Sequence, residues 1–200
     1  MRLEIDDLTK KIKDQQVLDR LNLKVDAAEL LHIVGANGSG KSTLFKLVVN
    51  IMAPDSGRII VDAETHIGGL IENPSFMEDE TAKQNMKFLA TINRHYDETK
   101  IRALFERFGL DYDNKKRIRG YSLGMRQKVG IIQAIMENQN LILLDEPTRG
   151  LDQKALETFK TLIHELVGEK KTIIIASHDN LSDLSFDRIL RLDKGKLAPL

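Results

Sequence analysis

Gly35-Ala36-Asn37-Gly38-Ser39-Gly40-Lys41-Ser42-Thr43 stands between two segments of opposite character. Before it runs Leu30-Leu31-His32-Ile33-Val34, short and apolar, as a buried strand requires. After it Ser42–Met52 carries a helical pattern, stopped by Pro54. Three glycines let the backbone curl tightly and aim successive N–H groups at one anion. The helix adds the positive end of its dipole at the same point. Lys41 supplies a full charge to β and γ phosphates, and the Ser42 hydroxyl is placed to bind Mg²⁺. The spacing is that of a phosphate loop. It arises by chance in on the order of one chain in a hundred, and the flanking strand and helix leave coincidence little weight. Alone, the motif implies a nucleoside triphosphate and no particular machine.

A second signal lies about a hundred residues on. Leu141-Ile142-Leu143-Leu144-Asp145-Glu146 is an apolar strand ending in two acids. Strand ends often carry solvated carboxylates. In a sheet with a phosphate loop, however, ligands sit beyond the carboxyl ends of the strands. There Asp145 reaches the Mg²⁺ shell, and Glu146 can take a proton from an attacking water.

The rest of the chain reads as strands, then helices, then alternation. Leu3-Glu4-Ile5 and Leu21-Asn22-Leu23-Lys24-Val25 alternate at period two, and Ile59-Ile60-Val61 follows the turn Asp55-Ser56-Gly57. From about residue 73 to 138 the texture is helical. Thr81-Ala82-Lys83-Gln84 is a capping box, Asp97 caps a second helix that ends before Gly109, and Ser122 opens a third. Asn140–Leu144, Gln153–Val167, Thr172–Ala176 and Arg188–Leu192 then read as strand, helix, strand and strand. The expectation is one α/β domain over residues 1–200. Its core sheet spans about 1–72 and 139–200, with an N-terminal antiparallel portion, and a helical subdomain is inserted at about 73–138.

Lys plus Arg and Asp plus Glu both number 30, so the net charge is zero and no general nucleic-acid binding is expected. There is no cysteine, hence no disulfide framework or thiolate metal site. No segment approaches the roughly 18 apolar residues of a membrane span, and Met1–Asp7 has no signal-peptide core. A cytosolic chain is expected, reaching a membrane only through another subunit.

Between the phosphate loop and the acids stands Tyr121-Ser122-Leu123-Gly124-Met125-Arg126-Gln127-Lys128. Here the sequence resembles the ABC transporter ATPases, whose signature is usually Leu-Ser-Gly-Gly-Gln. Ser122 and Gly124 are kept; Tyr121, Leu123 and Met125 depart from the commonest form. Ser122 is a good helix cap, and the helix start leaves free N–H groups. The resemblance implies that these bind the γ-phosphate held by a second protomer. It extends over nearly the whole chain, with five motifs in order. Gly150-Leu151-Asp152 looks like the D-loop at the dimer interface, and His178 like the switch histidine at the γ-phosphate. His32, His66, His95 and His164 match no motif. The resemblance implies ATP and Mg²⁺ as ligands, hydrolysis with Glu146 as base, a homodimer or heterodimer, and an integral membrane partner at the inner face of the membrane.

Two positions depart from the family. Ile12 falls where an aromatic usually stacks on adenine, so a weaker preference for ATP over GTP is expected. Glu72, in Leu70-Ile71-Glu72-Asn73-Pro74, falls where glutamine is usual, in the loop that can touch Mg²⁺. No C-terminal regulatory domain is expected, and the short form with Glu72 looks like subunits of bacterial peptide-antibiotic export or immunity systems. A GTPase is disfavoured, since Asn114-Lys115-Lys116-Arg117 lacks the acid of the guanine-reading pattern. The rival reading is a non-transport ABC ATPase acting with soluble partners.

Overall fold

The computed structural model describes residues 1–178, 181 and 183–200. Strand β1 (Leu3–Ile12) turns at Lys13 and Asp14 into β2 (Gln15–Val25), and the two pair antiparallel with Leu3 opposite Val25. Both strands alternate on either side of irregularities in their pairing between Ile5 and Lys11, and their apolar positions Leu3, Ile5, Leu8, Leu18, Leu21, Leu23 and Val25 are buried. The sequence shows only the inner stretches of this pair. The outer turns, rich in Lys, Asp and Gln, form strand because the partner strand satisfies their backbone groups.

Strand β3 (Leu30–Val34) leads through the phosphate loop into helix α1 (Lys41–Val48). The helix is shorter than the Ser42–Met52 pattern. Asn50 adopts φ 58°, a left-handed conformation that Asn tolerates, and this stops the helix before Pro54 is reached. Strand β4 (Ser56–Val61) adds to β1, completing a three-stranded antiparallel sheet in the order β2-β1-β4.

Strand β5 (Ile67–Leu70) carries no sequence signal, because half of it is glycine. Helix α2 (Ala82–Ile92), α3 (Glu98–Arg107) and α4 (Leu123–Ile135) follow, with a 3₁₀ turn at Ile118–Gly120. The capping box at Thr81 and Gln84 is formed from both sides, and Asp97 and Ser122 cap their helices by accepting from Lys100 N and Met125 N. Strand β6 (Leu141–Asp145), helix α5 (Gln153–Gly168), β7 (Thr172–Ser177), β8 (Arg188–Asp193) and β9 (Lys196–Pro199) complete the chain. The last strand lies beyond the stretches read from sequence; the turn Lys194-Gly195, both at positive φ, returns it antiparallel onto β8.

The second sheet has the order β5-β6-β7-β3-β8-β9, parallel except for β9. Its central strands are buried on both faces, which is why Leu141–Leu144 and Ile173–Ala176 read as continuous apolar runs. Leu141, Leu143, Ile174 and Ala176 face α1 and the antiparallel sheet, while Ile142, Leu144, Ile173 and Ile175 face α4, α5 and the other helices. Each such Leu or Ile side chain contributes about 1.5–3 kcal/mol by burial, so the sheet is the common floor of two cores. Gly68 of β5 is a close-approach position: a Cβ there would lie 1.8 Å from the Ala134 carbonyl oxygen of α4. No larger residue lets that helix down onto the strand.

Candidate functional site

The phosphate loop sits at the carboxyl end of β3, between the strand and α1. Gly40 is its hinge, at φ 107°, and leaves the backbone N–H groups of the first α1 turn facing outward. Lys41 is buried, and its Nζ donates to the Gly35 and Ala36 carbonyl oxygens at 2.6 and 3.2 Å. These bonds hold the ammonium over the loop until a phosphate competes for it. Ser42 Oγ donates to Asp145 Oδ2, joining the start of α1 to the end of β6.

Asp145 is 3% exposed, and burial raises its pKa, opposed by the hydrogen bonds from the Ser42 hydroxyl and the Glu72 main chain. Glu146 follows in a left-handed conformation, φ 47°, rare for a residue with a side chain. Two bonds fix it there: Glu146 N donates to Ala176 O at 2.8 Å, and Gln127 Nε2 donates to Glu146 O at 2.9 Å. Gln127 lies in α4, is buried, and was not singled out from sequence. A polar residue on the inner face of that helix was the available signal.

The Glu146 carboxylate spans two partners. Oε1 is 3.4 Å from Lys41 Nζ, and Oε2 is 2.8 Å from His178 Nδ1. His178 thus reaches the site through Glu146, from the end of β7. His32, assigned no role from sequence, is a core histidine. Its Nε2 is 2.8 Å from Ser177 Oγ, its ring stacks on Phe186 at 4.5 Å, and burial lowers its pKa.

A cleft of about 530 Å³ opens here, lined by Ile12, Asn37, Gly38, Gly40, Lys41, Ser42, Thr43, Glu72, Asp145 and Glu146, with Lys13, Gln15 and Val17 on the side of the β1–β2 turn. Ile12 is 41% exposed on its rim. Gly35 and Ser39 shape the loop from behind and are not among the lining residues. Ser122, Gly124 and Asp152 are not among them either. Ser122 caps α4, and Asp152 caps α5 by accepting from Ala155 N at 2.8 Å and pairs with Lys128 at 3.0 Å.

Glu72 borders the cleft with its main chain turned inward. Its N–H donates to Asp145 Oδ2 at 3.2 Å, while its carboxylate lies 2.5 Å from Lys46 Nζ. Asp145 Oδ1 is buried without a hydrogen-bond partner among the described residues, and Glu146 Oε1 is buried with only its ion-pair contact to Lys41. An unpaired acceptor at a strand end suits a divalent cation. Among the described residues no group of three His, Cys, Asp or Glu side chains is placed to hold a metal by itself. The site is therefore no closed protein cage. It fits Mg²⁺, which binds through one or two protein oxygens plus phosphate and water.

A protein-family model described as ABC transporter matches residues 18–149. This chain belongs to the ABC transporter family. The relatives it matches are described as ATP-binding proteins. A relative described as an uncharacterized ABC transporter ATP-binding protein, YdbJ of Bacillus subtilis, is 33% identical over 98% of this chain and 67% of its own length. The bacitracin transport ATP-binding protein BcrA of Bacillus licheniformis is 32% identical over 96% of this chain and 66% of its own length. The chain thus spans about two thirds of these ABC relatives. A solved ATP-binding subunit of an ABC transporter superposes with a TM-score of 0.90 at 25% identity, covering 100% of this chain and 90% of that one. The α/β cassette expected from the sequence is the fold found.

Proposed function

We propose that this chain drives export through a separate membrane-spanning subunit by closing and reopening an ATP-dependent dimer. The observation that carries the reading is the split of the phosphate-binding groups. Lys41, Ser42 and the loop amides line the cleft, while the Ser122-capped start of α4, with its free N–H groups, does not. Ser122 and Gly124 are an anion site with no anion of their own chain. A second copy, or a relative, brings its γ-phosphate to them. Binding two ATP molecules then satisfies both half-sites together, and hydrolysis removes the bridge.

Within each site Lys41 leaves the Gly35 and Ala36 carbonyls for the β and γ phosphates, and the loop N–H groups complete the cradle. Ser42 and Asp145 would hold Mg²⁺, with the Glu72 loop bordering them through its main-chain N–H; the ion would supply charge neutralisation for the developing phosphate charge. Water attacks the γ-phosphorus, the bond to the β–γ bridging oxygen breaks, and ADP leaves with that electron pair. Glu146 accepts the water's proton, and His178 holds Glu146 and meets the γ-phosphate. Ile12 contacts the base without stacking, and Asp152 lies at the dimer seam. The bacitracin transport relative supports a peptide-antibiotic type of cargo. Among the described residues no helix is long and apolar enough to cross a membrane; in this reading a partner supplies the membrane segment, and the chain works at the inner face of the membrane.

The test is Glu146→Gln with ATP and Mg²⁺ on a sizing column with light scattering, alongside affinity purification from detergent-solubilised native cells. Hydrolysis should fall by about 10²–10⁴, an ATP-dependent dimer should accumulate, and a multi-span membrane protein should co-purify. A persistent monomer that binds ATP tightly refutes the homodimer. Recovery of soluble partners alone refutes transport and favours the non-transport ABC ATPase.

A further inference from the structure

The loop between β5 and α2 places a third acid beside Asp145 and Glu146. Glu72, Asp145 and Glu146 line one cavity of about 210 Å³ together with Ser42, Asn73, Gln127 and Arg149. Three carboxylates beside a triphosphate repel it and one another unless each is answered. Glu146 is answered by Lys41 and His178, and Asp145 by Ser42 and the Glu72 N–H. The Glu72 carboxylate is answered by Lys46, at 2.5 Å.

Lys46 stands in the last turn of α1, where the negative end of the helix favours a cation. Its side chain is 27% exposed, against 52% for Glu72, so the pair is partly shielded from solvent. The same short helix begins with Lys41 and Ser42. One rigid element therefore presents the phosphate ligands at its start and the Glu72 partner near its end. Glu72 itself is at φ 55°, a backbone that a side-chain-bearing residue adopts only when held. Its main chain is tied to Asp145 and its carboxylate to Lys46, a residue that lines neither the cleft nor this cavity. A glutamine at this place would need no such cation.

We propose that Lys46 is a positioning residue that keeps the Glu72 carboxylate off the metal side of the cleft, so that the charge of Glu72 does not oppose the nucleotide. The proposal rests on the cleft binding ATP with Mg²⁺.

The test measures affinity for a fluorescent ATP analogue, in EDTA and in Mg²⁺, for the whole chain and for Lys46→Met, Glu72→Gln and the double variant. Melting temperatures check folding, and Lys46→Arg serves as the conservative rescue. Lys46→Met should weaken binding in EDTA by about two- to fivefold, the size of one partly shielded charge interaction. In Mg²⁺ the loss should shrink below about 1.5-fold, because the metal screens the freed acid. Adding Glu72→Gln should restore the EDTA affinity, and Lys46→Arg should match the parent. A loss of equal size in both conditions, not rescued by Glu72→Gln, means that Lys46 acts on phosphate or on the fold and overturns the proposal. No change in Lys46→Met overturns it as well. Failure of the unaltered chain to bind nucleotide under either condition refutes the ATP reading itself, a separate result.

Discussion

The Nδ1 of His178 lies 2.8 Å from Oε2 of Glu146. The carboxylate can only accept, so the ring N–H donates and fixes the rotation of the acid. The other carboxylate oxygen faces Lys41 at 3.4 Å. Glu146 is thus aimed from two sides before any substrate arrives, and its main chain is held by Gln127 and Ala176.

Removing one of those holds should cost rate more than binding. His178→Ala is expected to lower kcat by about 10- to 100-fold, the penalty of a misplaced reacting group, with KM for ATP within about threefold of the parent. Steady-state phosphate release measures both. A kcat within twofold of the parent would remove His178 from the mechanism.

Ile12 lies on the rim of the cleft and offers no ring to the base. The parent chain should bind ATP and GTP with dissociation constants within about fivefold of each other. Ile12→Tyr should tighten ATP binding by about three- to tenfold, as a stacking pair does. Titration calorimetry with both nucleotides decides it, and a strong adenine preference in the parent sinks the idea.

Gly124 is constrained inside its own chain as well as by any partner. A Cβ there would meet the Gly150 carbonyl oxygen at 2.4 Å. Gly124→Ala must therefore shift the start of α4 or the 149–151 turn, at about 1–3 kcal/mol. The melting temperature should fall by about 2–4 °C per kcal/mol, and ATP-dependent pairing should weaken while ATP binding by the single chain persists. An unchanged melting temperature would show the clash to be absorbed elsewhere.

Acid should loosen the helical region through Asp113. Arg102 at 2.5 Å and Lys83 at 2.9 Å hold its carboxyl well below the usual range, and both cations also lie over the Tyr112 ring. A depressed carboxylate contributes stability above its unfolded pKa of about 3.9, and that contribution is lost as pH falls toward the folded value. Asp113→Asn should therefore be less stable than the parent at pH 7, with the two converging below about pH 4. Denaturant titrations across that range test the sign.

Where one residue type carried the local physics, the sequence was readable. The caps at Thr81, Asp97 and Ser122 stand as read, and Asp145 closes its strand one residue later than the apolar run suggested. The motifs also located the cleft, since Gly38, Lys41, Ser42, Glu72, Asp145 and Glu146 all line it. Strand β5 was hidden because Gly68 serves the helix packed on it, which periodicity does not record. Gln127 and Lys46 were hidden for a related reason. Each answers a group far along the chain, Glu146 or Glu72, and only the fold sets those distances.

The contact between Gly68 and Ala134 bears on how such chains could be recombined. Helix α4 shares its core with β6 and α5, and its backbone rests directly on β5. A chimera that exchanges residues 73–138 wholesale would carry a foreign helix onto a strand cut to fit another. A graft that exchanges α2 and α3 but leaves α4 with the sheet keeps that fit, and it marks where inherited variation can be swapped without repacking the floor.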